Sequence, residues 1–139
     1  MNTTSMIIIV AAAAVLLLVV SLVPFLIRRH SPKLNTAYFE KRWKELQSNC
    51  ATRKTWPLAV IDADNLLNEA LKKRHYKGKT TGERLVAAQH DLSDNNSVWY
   101  GHKLRNRIVH EDVRKMKKQD VLNALSGFRQ ALRDLGALK

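Results

Sequence analysis

Between Met6 and Ile27 the chain is apolar without interruption, MIIIVAAAAVLLLVVSLVPFLI, with Ser21 its one hydroxyl. After Pro32 the pattern changes, and apolar residues recur every three or four positions among charged ones. The first pattern is that of a transmembrane helix: at about 1.5 Å per residue, residues 6–27 extend about 33 Å, against a hydrocarbon core about 30 Å thick. A core helix of a soluble domain is usually shorter and carries a polar stripe. A cleaved signal peptide has a basic segment before a shorter apolar run, whereas the MNTTS preceding this one has no Lys or Arg. Pro24 falls in the last turn of the span, where a distorted backbone is tolerated.

The second pattern predicts helices and no alternating strand. A helix over about 35–49 places Tyr38, Phe39, Trp43 and Leu46 on one side and Glu40, Lys41, Lys44 and Glu45 on the other. A second starts at a Thr55 cap with Pro57 in its first turn and runs to about His75, with Val60, Ala63, Leu67, Ala70 and Leu71 as its apolar stripe. Gly78 is expected to stop that helix. Thr80 and Glu83 make a capping box for a third over about 81–92. Ser93-Asp94-Asn95-Asn96 breaks and caps the chain before a fourth helix over 97–111. In the last, about 118–135, Val121, Leu125, Phe128, Leu132 and Leu135 recur at intervals of four, three, four and three, with Leu122 and Ala131 beside them, and Gly136 ends it. The expected fold is all-α, a single transmembrane helix followed by an up-and-down bundle of four to five helices. The segments are an extracytoplasmic 1–5, a span over 6–27, a juxtamembrane linker over 28–34 and the bundle over 35–139.

Charge sharpens this division. The chain of 139 residues has 24 Lys and Arg against 12 Asp and Glu, a net +12, yet no charged side chain precedes Arg28. Arg28, Arg29 and Lys33 crowd one end of the span, so the positive-inside rule puts the N terminus outside the cell membrane and the bundle in the cytoplasm. A reducing compartment suits the single Cys50, which rules out an intramolecular disulfide framework. Three partners suit the excess of positive charge: RNA phosphates, anionic lipid headgroups, or simply water. Candidate nucleic-acid contacts are Lys72, Lys73, Arg74, Lys77 and Lys79 in one cluster and Arg114 and Lys115, with Lys117 and Lys118, in another. Tyr76, Trp99 and Tyr100 are the aromatics near them.

Two tempting sites fail on spacing. Gly78-Lys79-Thr80 lacks the earlier glycine of a phosphate loop, since position 73 is Lys, and no strand precedes it. Asp62 and Asp64 diverge by about 200° on a helix, so they read as solvated or salt-bridged carboxylates and not as joint ligands. No metal or cofactor is expected.

The fourth helix carries the remaining chemistry. In WYGHKLRNRIVHE, residues 99–111, His102, Asn106 and His110 lie within about 80° of one another, Arg105 borders them, and Val98, Leu104 and Ile108 face inward. A solvated polar face would account for this pattern, with His110 favoured by the helix dipole. Arg105-Asn106-Arg107-Ile108-Val109-His110 also resembles the R-polar-x-x-x-H signature of the HEPN superfamily, helical bundles that include metal-independent endoribonucleases and noncatalytic binding relatives. The motif rests on Arg105, Asn106 and His110, and the likeness extends over residues 35–136 as architecture. The whole chain also looks like uncharacterised small bacterial membrane proteins with one anchor and such a domain.

The resemblance implies catalytic roles for those three residues, with His102 as an auxiliary. His110 would act as base or acid near neutral pH, Arg105 would neutralise the phosphoryl oxygens, and Asn106 would orient the imidazole or the phosphate. A single motif supplies one proton-transfer group, so the resemblance also implies a homodimer. Arg105 and His110 stand about 140° apart on an ideal helix, and within one chain they meet only through an extended arginine or a distorted turn. The alternative is a noncatalytic tethered bundle that binds a protein partner or RNA.

Overall fold

A computed structural model of the protein describes residues 2–29, 32–111 and 116–139. It is all-helical among the described residues and divides into two compact units, residues 1–32 and 33–139. The first unit is one helix, α1 (Thr3–Arg29). Its described apolar side chains from Met6 to Leu26 are all exposed, as in Leu17 at 71%. Ser21 satisfies its hydroxyl within the helix by donating to the carbonyl of Leu18 at 2.9 Å, so the segment Thr3–Val23 is long and apolar enough to cross a bilayer.

The second unit holds α2 (Thr36–Ser48), α3 (Trp56–Lys73), α4 (Thr81–Ala88), α5 (Asn95–His110) and α6 (Lys118–Asp134). The central element is α3, which packs against each of the other four. This explains its broad apolar face, where Ala59, Val60, Ala63, Leu66, Leu67, Ala70 and Leu71 are all buried. From α2, Phe39, Trp43 and Leu46 enter the core. Val121, Phe128, Leu132 and Leu135 enter it from the α6 stripe, while Leu125 is half-buried and Leu122 stays exposed. Beyond α6, Ala137 and Leu138 are buried as well, and the Lys139 N–H donates to Glu40 on α2 at 2.9 Å.

Most helix ends follow the local chemistry. Asn35 caps α2 by accepting from the Tyr38 N–H, and Thr80 with Glu83 closes the expected capping box on α4. Gly136, at φ +73°, ends α6 in a Schellman turn whose bonds run from Gly136 to Arg133 and from Ala137 to Leu132.

Four boundaries differ from expectation. Thr55 stands at the N-cap position of α3 but does not cap it; its hydroxyl turns back to the carbonyls of Asn49 and Thr52. At the other end of α3, His75 and not Gly78 closes the helix, at φ 61°, while Tyr76 donates to Leu71 and His75 to Lys72. Gly78, at φ 150°, also serves close approach, because a Cβ there would lie 2.8 Å from that of Glu83. The third predicted helix stops at Ala88, and α5 begins at Asn95, since Asp94 caps it by accepting from the Ser97 N–H at 3.0 Å.

The pairing of α5 with α6 depends on two glycines. Gly101 on α5 accommodates the Phe128 ring, and Gly127 on α6 lies against the Ser97 carbonyl. This seam fixes the height and rotation of α5, the helix that carries the motif.

Candidate functional site

α5 is a continuous α-helix through His110, and its polar residues divide by depth. His102 is buried, Arg105 and Asn106 are half-buried, and His110 is exposed. The depth of His102 follows from its place among the buried Val98, Gly101 and Leu104 of the same helix. Its ring meets Trp99 edge to face at 5.7 Å between centroids. Gly82, in the first turn of α4, passes so close that a Cβ there would touch both His102 Nε2 and Trp99 at 3.6 Å.

Asp64 on α3 lies opposite, with a side chain 1% exposed. Its Oδ1 is 2.7 Å from His102 Nδ1, and its Oδ2 is 3.5 Å from Arg105 Nε. A buried carboxylate without such partners would be strongly unfavourable. Arg105 Nη1 donates to Asn106 Oδ1 at 3.1 Å, and Asn106 Nδ2 lies 3.4 Å from His102 Nε2. One turn along α3 from Asp64, Asn68 accepts from Arg84 Nη1 of α4 at 3.0 Å. Three helices thus bring two guanidinium groups to neighbouring positions along α3.

The structure therefore unites Arg105, Asn106 and His102 but not Arg105 and His110. The regular helix supplies no distorted turn, and Arg105 turns its Nε toward Asp64. His110 sits at the C-terminal end of α5, and its side chain has no hydrogen bond or ion pair among the described residues. The expected common surface of two imidazoles is corrected here, since His102 faces the interior.

Asp64, expected to be a solvated or salt-bridged carboxylate, is salt-bridged but buried, and it is the site residue that was not singled out from the sequence. Its signal was positional: it lies four residues after Val60 and three before Leu67, on the apolar stripe itself. Asp62 points elsewhere and accepts from Asn49 Nδ2 at 3.3 Å.

Of the basic residues, Lys72, Lys73, Lys77 and Lys79 are exposed and Arg74 is half-buried. Lys73 pairs with Glu69 at 3.7 Å. Arg114 and Lys115, and the side chains of Arg28 and Arg29, lie outside the described residues. Two of the aromatics near the clusters are engaged within the fold, Tyr76 donating to Asp91 at 2.7 Å and Tyr100 to Asp120 at 2.9 Å. Partial burial, then the bond to Asp120, pushes the Tyr100 hydroxyl pKa up. The Lys117 N–H, followed by Tyr100, holds the Asp120 carboxyl below its ordinary range. No protein-family model, curated protein or solved structure matches the chain.

Proposed function

We propose that this is a single-pass membrane protein with its N terminus outside and a HEPN-like helical domain in the cytoplasm, and that the domain binds RNA and cleaves it without a metal as a homodimer. The observation that carries this reading is the state of Arg105: its Nε and Nη1 are engaged by Asp64 and Asn106, while its side chain remains 28% exposed. Such a guanidinium is oriented yet reachable by a phosphodiester. In the proposed reaction His110 removes the 2′-hydroxyl proton and the 2′-oxygen attacks phosphorus. Arg105 neutralises the pentavalent phosphate, and the 5′-oxygen leaves with a proton, giving a 2′,3′-cyclic phosphate. Because Arg105 and His110 diverge on one helix, the second copy supplies the missing proton-transfer group.

The full chain in nanodiscs, incubated with single-stranded RNA in EDTA, tests this. Cutting that leaves cyclic phosphate ends, lost in His110→Ala with an unchanged melting temperature, is the expected outcome. A second reading, a noncatalytic tethered bundle that binds RNA or a protein, is favoured by the ion pair that draws Arg105 toward Asp64. Absence of cutting by the folded wild type supports it.

A further inference from the structure

Hydrogen-bond direction around Asp64 extends the reading just given. Ionised Asp64 can only accept, so His102 Nδ1, 2.7 Å from Oδ1, is the donor. In the neutral ring Nε2 is then an acceptor, and the group facing it is the amide nitrogen of Asn106. That choice turns Asn106 Oδ1 toward Arg105, whose Nη1 donates to it. Arg105 Nε lies 3.5 Å from the second oxygen of Asp64, an ion-pair distance at which neither atom makes a hydrogen bond. Four side chains from two helices thus form a hydrogen-bonded series, Asp64–His102–Asn106–Arg105, that the ion pair between Arg105 Nε and Asp64 Oδ2 closes into a ring without a hydrogen bond. Reversing the Asn106 amide would set nitrogen against nitrogen at Arg105, so the ring has one consistent direction.

We propose that Asp64 and His102 are positioning residues, which through Asn106 hold the Arg105 guanidinium with its second Nη1 proton and its Nη2 group turned toward an RNA phosphodiester. Among the described residues no protein group binds those remaining protons. The carboxylate balances the guanidinium charge, so phosphate recognition at this point depends on the planar, bidentate geometry of arginine more than on net charge. Lysine at 105 would keep the charge and lose the fork. The inference rests on RNA being the ligand, and it adds two residues outside the motif.

The test uses the full chain in nanodiscs and a short mixed-sequence RNA with 2′-O-methyl riboses, which binds without being cut. Arg105→Lys, Asp64→Asn and His102→Phe are each expected to weaken binding about tenfold, the scale for losing a hydrogen bond to a charged group. The double variant Asp64→Asn with Arg105→Lys is expected to bind no worse than Arg105→Lys alone, because the carboxylate acts through the guanidinium. A purely structural Asp64 gives additive losses instead, which overturns the proposal. So does unchanged affinity in folded Asp64→Asn and His102→Phe while Arg105→Lys is impaired; RNA binding then stands without the ring. Failure of the wild type to bind this RNA overturns both. Should the variants fail to fold, nitrogen NMR of wild-type His102 decides: a proton on Nδ1 and none on Nε2 supports the ring, and the reverse tautomer overturns it.

Discussion

Gly127→Ala probes the seam that sets α5 in place. A Cβ at this position would fall on the Ser97 carbonyl and 2.9 Å from the Val98 nitrogen, where ordinary contact begins near 3.4 Å. The obstructing atoms are backbone in the first turn of α5, fixed by the Asp94 cap, so no side chain can rotate away and the helices must separate. Overpacking of this kind costs about 1–3 kcal/mol, and a backbone clash belongs at the upper end. Alanine recovers about 1 kcal/mol as the better helix former. The net loss is about 2 kcal/mol, which for a domain of roughly a hundred residues lowers the melting temperature by about 8–16 °C. Tryptophan fluorescence of the full chain in detergent reads this directly, since Trp43, Trp56 and Trp99 all lie in the second unit and α1 is silent. A melting temperature equal to or above that of the wild type would refute the close approach of α5 and α6.

Other expectations follow from single features. His75→Gly should raise the melting temperature, because a left-handed non-glycine residue costs about 1–2 kcal/mol and glycine returns about 0.5–1 kcal/mol of that as chain entropy; calorimetry showing destabilisation would contradict the Schellman geometry. Asp94, through the Ser97 hydroxyl and then its N–H, and Asp120, through the Lys117 N–H, have carboxyl pKa values lowered on folding. Their stabilising contribution is therefore complete above the unfolded value, about 3.9, and is lost as pH falls through the folded values. Melting curves between about pH 5 and pH 2 should flatten in the Asp94→Asn, Asp120→Asn double variant, and an unchanged acid limb would assign it to other groups. Burial raises the Cys50 thiol pKa, so iodoacetamide should modify it more slowly than a free cysteine at neutral pH; equal rates would show the thiol to be open.

The sequence was most informative where one residue type had one physical use. Val121, Phe128, Leu132 and Leu135 could face only a core, and Thr80 with Glu83 could reach each other only across the start of a helix. Helix ends were less legible, because Thr55 had a choice of acceptors and turned to Asn49 and Thr52, and because His75 accepted a conformation that glycine takes more readily. Asp64 shows the limit most clearly. Its place on the apolar stripe was visible, but its partner His102 is 38 residues away, and helical spacing relates only residues on the same helix. The motif residues were legible by type and order, whereas the turning of Arg105 toward Asp64 depended on how two helices pack.

The burial of Ala137 and Leu138 has a consequence for biogenesis. Synthesis runs from the N terminus, so the apolar α1 emerges first and the core stays unfinished until these two residues are made. Any bilayer that takes up α1 as it is made would therefore receive it ahead of a finished domain. Until its last layer closes, the greasy faces of α3 and α6 stand open, and chaperones attending the nascent chain would have to cover them.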